Sequence, residues 1–349
     1  MGAREESLNY SGTDKDKTMY ARDFIPCLKY GAKITAQDIA GMIGLPSVGN
    51  IWYVDGANGA DTHSGNDPKD AFATVTAALA AVTDKNNDVI VIAPSGAGTG
   101  EPYAITETAA LTWNKSLTHL VGNVSPVMVS PRAKIYTATA GLSPFVTISG
   151  QGCIFKNVMF MSNATTNYIN VRVSGNRNYF QNVHFAGLVN ATAGDDATGA
   201  SLELYGGQEN YFVGCTVGVD TVTRTAANAN VKFSLGAETV ARNVFDGCIF
   251  PMIADADAPR FIKSTDTNGM DRWNLFRGCQ FINAIDATST NQTDAINIAA
   301  GPGGSIVLHD CLLIGATGWS NTLTSIRILG FSTNATILTD YSKAVNPAA

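Results

Sequence analysis

A short phrase recurs six times between Cys153 and Leu313, and its spacing is the feature that most limits what this chain can fold into. The copies run from Phe155 to Phe160, Phe180 to Phe185, Phe212 to Val217, Phe245 to Phe250, Phe276 to Phe281 and Leu308 to Leu313. Their first residues are separated by 25, 32, 33, 31 and 32 positions. A unit of this size cannot bury its apolar face alone, so a regular series of such units stacks into a solenoid.

The third position of each copy holds Asn157, Asn182, Gly214, Gly247, Gly278 or Asp310. These residue types tolerate a left-handed backbone best, which predicts a sharp corner there. The apolar residues on both sides of the corner point inward if each phrase is two short strands. Upstream lies a third, alternating segment, seen at Val146 to Ile148, Val171 to Val173, Leu202 to Leu204, Val231 to Phe233, Ile296 to Ile298 and Ile326 to Ile328. Three strands per turn follow.

With these residues in place the chain resembles the right-handed parallel β-helices of the pectate-lyase-like superfamily, which includes phage tailspikes. The resemblance implies an all-β fold, a right-handed single-stranded parallel β-helix with three short strands per coil, an N-terminal capping helix and an extended N-terminal arm. Stacking at about 4.8 Å per coil puts Phe155, Phe180, Phe212, Phe245 and Phe276 in one internal column and Cys215, Cys248, Cys279 and Cys311 in another. A jelly roll or sandwich with coincidental repeats is the alternative, opposed by the agreement of corners and columns in every copy.

The segment from Ile51 to Val75 is similar to the opening of many superfamily members, a first strand and a Gly/Asp loop leading to the capping helix. Its local chemistry agrees: Asp67 can cap, Pro68 suits a first helical position, and Phe72, Val75, Leu79 and Val82 share a helical face. The expected division is residues 1–50 as an extended anchoring arm, 51–338 as the β-helix with its capping helix at about 68–83, and 339–349 as a tail. Within the arm, Thr35 to Ala40 reads as a short helix. The Gly-rich loop Ser95 to Gly100 reads as a turn, since it lacks the Lys-Ser/Thr ending of a phosphate cradle.

Composition excludes several functions. The 349 residues are 45% hydrophobic and 15% charged, with net charge −6 and no basic run, so nucleic acid is not an expected partner. No apolar stretch is long enough to span a membrane, and the N-terminus has no signal-peptide core. The cysteines are expected as free thiols, because stacked in-register strands aim their Cβ atoms poorly for a disulfide.

Enzymes on this scaffold use paired carboxylates or a calcium-acidic cluster. The loop acids available are Asp195, Asp196, Asp220, Asp255, Asp257, Asp286 and Asp294. Each sits among Ala, Thr and Asn, as in solvated turns. The segment Asp255 to Arg260 is the best single metal candidate, without the density of a calcium loop. Arg172, Glu203 and Lys232 alternate in sign on successive outward positions, reading as an ion-pair ladder or a subunit interface. Asp246 and Arg277 read as a further outward pair. His63, His119, His184 and His309 show no metal spacing, and Trp52, Trp113, Trp273 and Trp319 read as core or interface before sugar platforms.

No catalytic, cofactor-binding or metal-binding residue is assigned. The leading expectation is a non-enzymatic phage virion protein, a capsid-stabilising decoration protein on the head exterior. It would assemble in the host cytoplasm as a homotrimer and be anchored to the major capsid protein through residues 1–50. The alternatives are a tailspike or head fibre that binds host-surface glycan, and a polysaccharide lyase or hydrolase.

Overall fold

A computed structural model describes residues 35–45, 48–94, 104–264, 266–283, 290–299, 303–320 and 325–329. The first 34 residues of the expected arm, the Ser95 to Gly100 loop, Asp286 and the expected tail lie outside them. The described residues form three long parallel sheets wound into a right-handed β-helix. Sheet A has ten strands, from Ile51–Val54 to Ile326–Leu329, and carries the phenylalanine of each phrase. Sheet B has nine, including His184–Leu188 and Ile249–Ala254, and holds the second half of the phrase. Sheet C has seven, from Leu111–Trp113 to Ile296–Ile298, and is built from the alternating segments.

The corner between sheets A and B forms where residue chemistry requires it. Asn157, Asn182, Gly214, Gly247, Gly278 and Asp310 all have positive φ, between 52° and 61°. A Cβ at Gly214, Gly247 or Gly278 would meet nothing within 4 Å, so the constraint is backbone conformation and Asn, Asp and Gly interchange freely. In-register pairing then stacks like on like. Phe155, Phe180, Phe212, Phe245 and Phe276 lie ring over ring with centroids 4.9, 4.6, 4.3 and 4.5 Å apart. The column is fully buried. Cys215, Cys248, Cys279 and Cys311 are buried free thiols, each pointing its Sγ at a phenylalanine carbonyl of the preceding coil. Burial pushes the Cys248 thiol well above its usual range, which makes it a core residue rather than a nucleophile.

A second buried column sits two residues before each phenylalanine. Asn178, Asn210, Asn243 and Asn274 are almost completely buried and hydrogen-bond from coil to coil. The Oδ1 of Asn243 accepts from the backbone N–H and Nδ2 of Asn210 at 3.0 and 3.1 Å, and its own Nδ2 donates to Gly207 O and Asn274 Oδ1 at 3.0 Å. The amides thereby satisfy the backbone groups freed where the chain turns from sheet C into sheet A. Just before this ladder a second left-handed corner is held by Gly152, Arg177, Glu209 and Arg242. Glu209 pairs there with Arg177 and Arg242 at 2.7 and 2.5 Å.

Two strand assignments differ from the sequence reading. Ile326–Leu329 pairs with Gly303–His309 in sheet A, so it is not a further alternating segment of sheet C. Conversely, Arg260–Ser264 is a sheet C strand that the alternation conceals. Its Ser264 pairs in register with Phe233 of the coil before, a polar residue at an inward position.

The open N-terminal end is closed by two pieces. A 3-10 turn at Pro68–Asp70, capped by Asp67, is separated from helix α2 at Val75–Ala81 by extended residues, because Phe72 exchanges backbone hydrogen bonds with Tyr53 and Asp55. Val75, Ala78 and Leu79 of α2 join the solenoid core, and the buried Glu107 accepts from Val75 N and Thr76 N at the start of the helix. Helix α1 (Ala36–Ile43) has a capping box of Thr35 and Asp38, ends at Gly44 in the left-handed conformation, and buries Ile39 and Ile43 on Tyr53, Val89, Val91 and Val121 at the outer face of sheet A.

Candidate functional site

Two of the loop acids, Asp195 and Asp257, are used as staples between coils. Asp195 accepts from Thr225 N, Thr225 Oγ1 and Ala226 N of the next coil. Asp257 accepts from Thr293 N and faces Arg260. Hydrogen bonding to the carboxylate holds both aspartates below the usual range against the opposing effect of burial. Asp196 folds onto its own Thr198. Among the described residues no three His, Cys, Asp or Glu side chains form a group able to hold a metal ion, Asp255 and Asp257 included.

The outward pair Asp246 and Arg277 forms, with Tyr211 Oη donating to Asp246 at 2.8 Å and Arg277 Nε at 3.1 Å. Trp113 and Trp319 are core residues, edge-on to Phe155 and Phe281. Trp52 packs against Phe72, while Trp273 is exposed.

Two of the four histidines are buried structural groups. The Nδ1 of His119 accepts from Ile154 N at 3.1 Å and that of His184 from Ser130 N at 3.1 Å. Each ring therefore carries its proton on Nε2, which faces Asn87 Oδ1 and Gly218 O respectively. Burial holds both down to about 4. A folded-state value below the unfolded one means that the unfolded chain binds more protons as the pH falls from about 6.5 to about 4. Stability is therefore complete above about pH 6.5 and is lost through that window, on the order of 3 kcal/mol per histidine. Denaturant titrations at pH 7.5 and pH 4 should show this loss, and His184→Gln should remove part of it. An unfolding free energy that does not change with pH would refute the assignment.

On the outward ladder of sheet C charge, an aromatic face and a concavity coincide. Strand pairing puts Thr147, Arg172, Glu203, Lys232 and Lys263 in register on successive coils. Glu203 is buried, only 2% exposed, and accepts from Arg172 Nε at 2.6 Å and Ser234 Oγ at 2.7 Å, with Lys232 Nζ at 3.5 Å. This network fixes the guanidinium of Arg172, which lies 4.5 Å over the ring of the exposed Tyr205. Beside them opens a groove of about 350 Å³ lined by Thr147, Arg172, Ser174, Asn176, Tyr205 and Glu238, among others. Arg172, Glu203 and Lys232 were visible in the sequence as a ladder. Tyr205, at the end of the strand Ala200–Tyr205, and Asn176 and Glu238, in the loops after their strands, were not.

Such a groove offers a half-exposed ring, a cation, hydroxyl and amide groups, and the carboxylate of Glu238. That set suits a hydroxyl-rich ligand, with the ring for stacking and the polar groups for hydroxyls or an acidic substituent.

No family model matches the chain, and no curated protein is similar to it. Solved structures are. A pectin methylesterase from Aspergillus niger matches at 14% identity and a TM-score of 0.51 over 82% of this chain and 87% of its own. A pectin methylesterase in complex with a hexasaccharide matches at 14% and 0.51 over 83% and 92%. ORF18 of Geobacillus virus E2 matches at 12% and 0.49 over 70% of this chain and 50% of that one.

The chain shares the right-handed parallel β-helix fold of these pectin methylesterases. This corrects the expectation of a non-enzymatic protein: the scaffold is one that carbohydrate-active enzymes share, and a sparse set of loop acids does not set this chain apart from it. Among the described residues no helix is long and apolar enough to cross a membrane.

Proposed function

We propose that this chain is a tailspike-like virion protein that engages a host-surface polysaccharide, one carrying acidic groups, along the outer face of sheet C. The observation that carries the reading is Arg172, fixed by the buried Glu203 and stacked on Tyr205 at the wall of a polar groove. A cation held in place before the ligand arrives gives up less side-chain freedom on binding. The virion setting comes from the resemblance of the repeat to phage tailspikes. A homotrimer belongs to the same proposal, whereas attachment to a major capsid protein through residues 1–50 goes with a second reading, a decoration protein on the head exterior. The outward column Ile154, Tyr179, Tyr211, Val244, Leu275 and Val307 on sheet A supports a contact between copies.

The test is calorimetric binding to purified host-surface polysaccharides, charged and neutral, together with assays for a change in polymer length or ester content. Arg172→Ala should weaken binding to the acidic polymer about tenfold to a hundredfold, the worth of one hydrogen bond to a charged group. Tyr205→Ala should weaken binding to both polymers. If turnover is found, Glu203→Gln and Glu238→Gln identify the carboxylate involved. Unchanged affinity in Arg172→Ala and Tyr205→Ala would move the site away from this groove.

A further inference from the structure

Arg224 is the most anomalous charged side chain in the described solenoid. It lies on the strand Thr223–Arg224, in the excursion that leads from sheet B to sheet C, and is 1% exposed. One nitrogen, Nη1, donates to Asn230 Oδ1 at 2.8 Å. Nε and Nη2 are buried and have no acceptor. Among the described residues no charged group offsets this burial, which lowers the guanidinium to about 10, so the group stays a cation at neutral pH. The salt-bridged acids of the neighbouring loops, such as Asp257 with Arg260, have their own partners.

The polar residues stacked with Asn230 on the adjoining coils of sheet C are also incompletely used. Pairing of the strands Ile169–Val173, Ala200–Tyr205 and Ala229–Ser234 places Asn170, Ser201 and Asn230 in register on three successive coils. Asn170 Oδ1 and Ser201 Oγ are buried without a partner, as is Asn228 Oδ1 two residues from Asn230. Asn230 itself spends both donors on Val217 O and Pro251 O, which fixes its Oδ1 toward Arg224. A lone cation in such a setting is strongly unfavourable unless a counter-charge or strong acceptors accompany it. Neutral acceptors could satisfy the N–H groups but not the charge.

We infer that Arg224 holds a small monovalent inorganic anion, of halide size, through Nε and Nη2 inside the corner between sheets B and C. The anion supplies the missing acceptor and neutralises the guanidinium. It must be small, because the two nitrogens are fully enclosed, and it is a structural ion, distant in role from the groove on sheet C.

Thermal unfolding of the full chain in sodium chloride or bromide, against sodium gluconate at matched ionic strength, tests the inference. The midpoint should rise by a few degrees over about a hundredfold increase in halide, by mass action on the folded state, and stay flat in gluconate. Arg224→Met should abolish the halide dependence. Because that variant could fail to fold, crystals of the unaltered protein grown in bromide provide a second measurement. An anomalous peak within hydrogen-bonding distance of Nε or Nη2 supports the site. A halide-independent midpoint, or water alone beside Arg224 in bromide, overturns it.

Discussion

Replacing Phe245 by alanine is expected to destabilise the protein by about 3–5 kcal/mol, the range for removing a large buried aromatic side chain. Phe245 is an interior ring of the five-ring column, with Phe212 and Phe276 at 4.3 and 4.5 Å on its two faces and Phe250 at 5.9 Å. Neither neighbour can move in to fill the space, since each is fixed by the register of its own strand. The loss therefore includes the transfer of the ring and the void left behind. Equilibrium denaturation read by tryptophan fluorescence would measure it. Phe245→Leu should lose less, because it keeps most of the volume. A Phe245→Ala loss under about 1 kcal/mol would mean that the column repacks and does not define the core.

The second large effect belongs to the asparagine ladder. Asn243→Leu removes one amide and breaks four contacts: the backbone N–H of Asn210 and the carbonyl of Gly207 lose their partner, while Asn210 Nδ2 keeps Gly175 O and Asn274 Oδ1 keeps the backbone N–H of residue 243. Each buried group left without a partner costs about 1–3 kcal/mol, so a loss above about 3 kcal/mol is expected even though leucine is larger in apolar area. Asn178→Leu, at the end of the ladder, strands Cys153 N and Gly150 O and should cost less. Comparing the two in the same denaturation assay separates a cooperative ladder from independent caps. Equal losses would exclude the cooperative description.

The phenylalanine and cysteine columns were legible because a period near 32 residues with a fixed internal phrase leaves a single way to stack. The asparagine ladder was equally present, two residues before Phe180, Phe212, Phe245 and Phe276, yet asparagine there reads as a turn residue until its burial is known. The strand Arg260–Ser264 was hidden by one serine at an inward position. The corner at Arg177, Glu209 and Arg242 gave no signal, because long charged residues seldom adopt a left-handed backbone and do so here on the strength of their ion pairs across coils.

By itself the sequence determined the solenoid, its inward columns and the left-handed corner between sheets A and B, all of which follow from local backbone preference and a repeat that puts like above like. Only the tertiary structure decided which charges became staples, which became a groove and which was buried alone. Asp195 and Thr225, Arg172 and Glu203, and Arg224 and Asn230 meet through the lengths and paths of individual loops. Those paths are set by contacts between coils, and no periodicity in the chain encodes them.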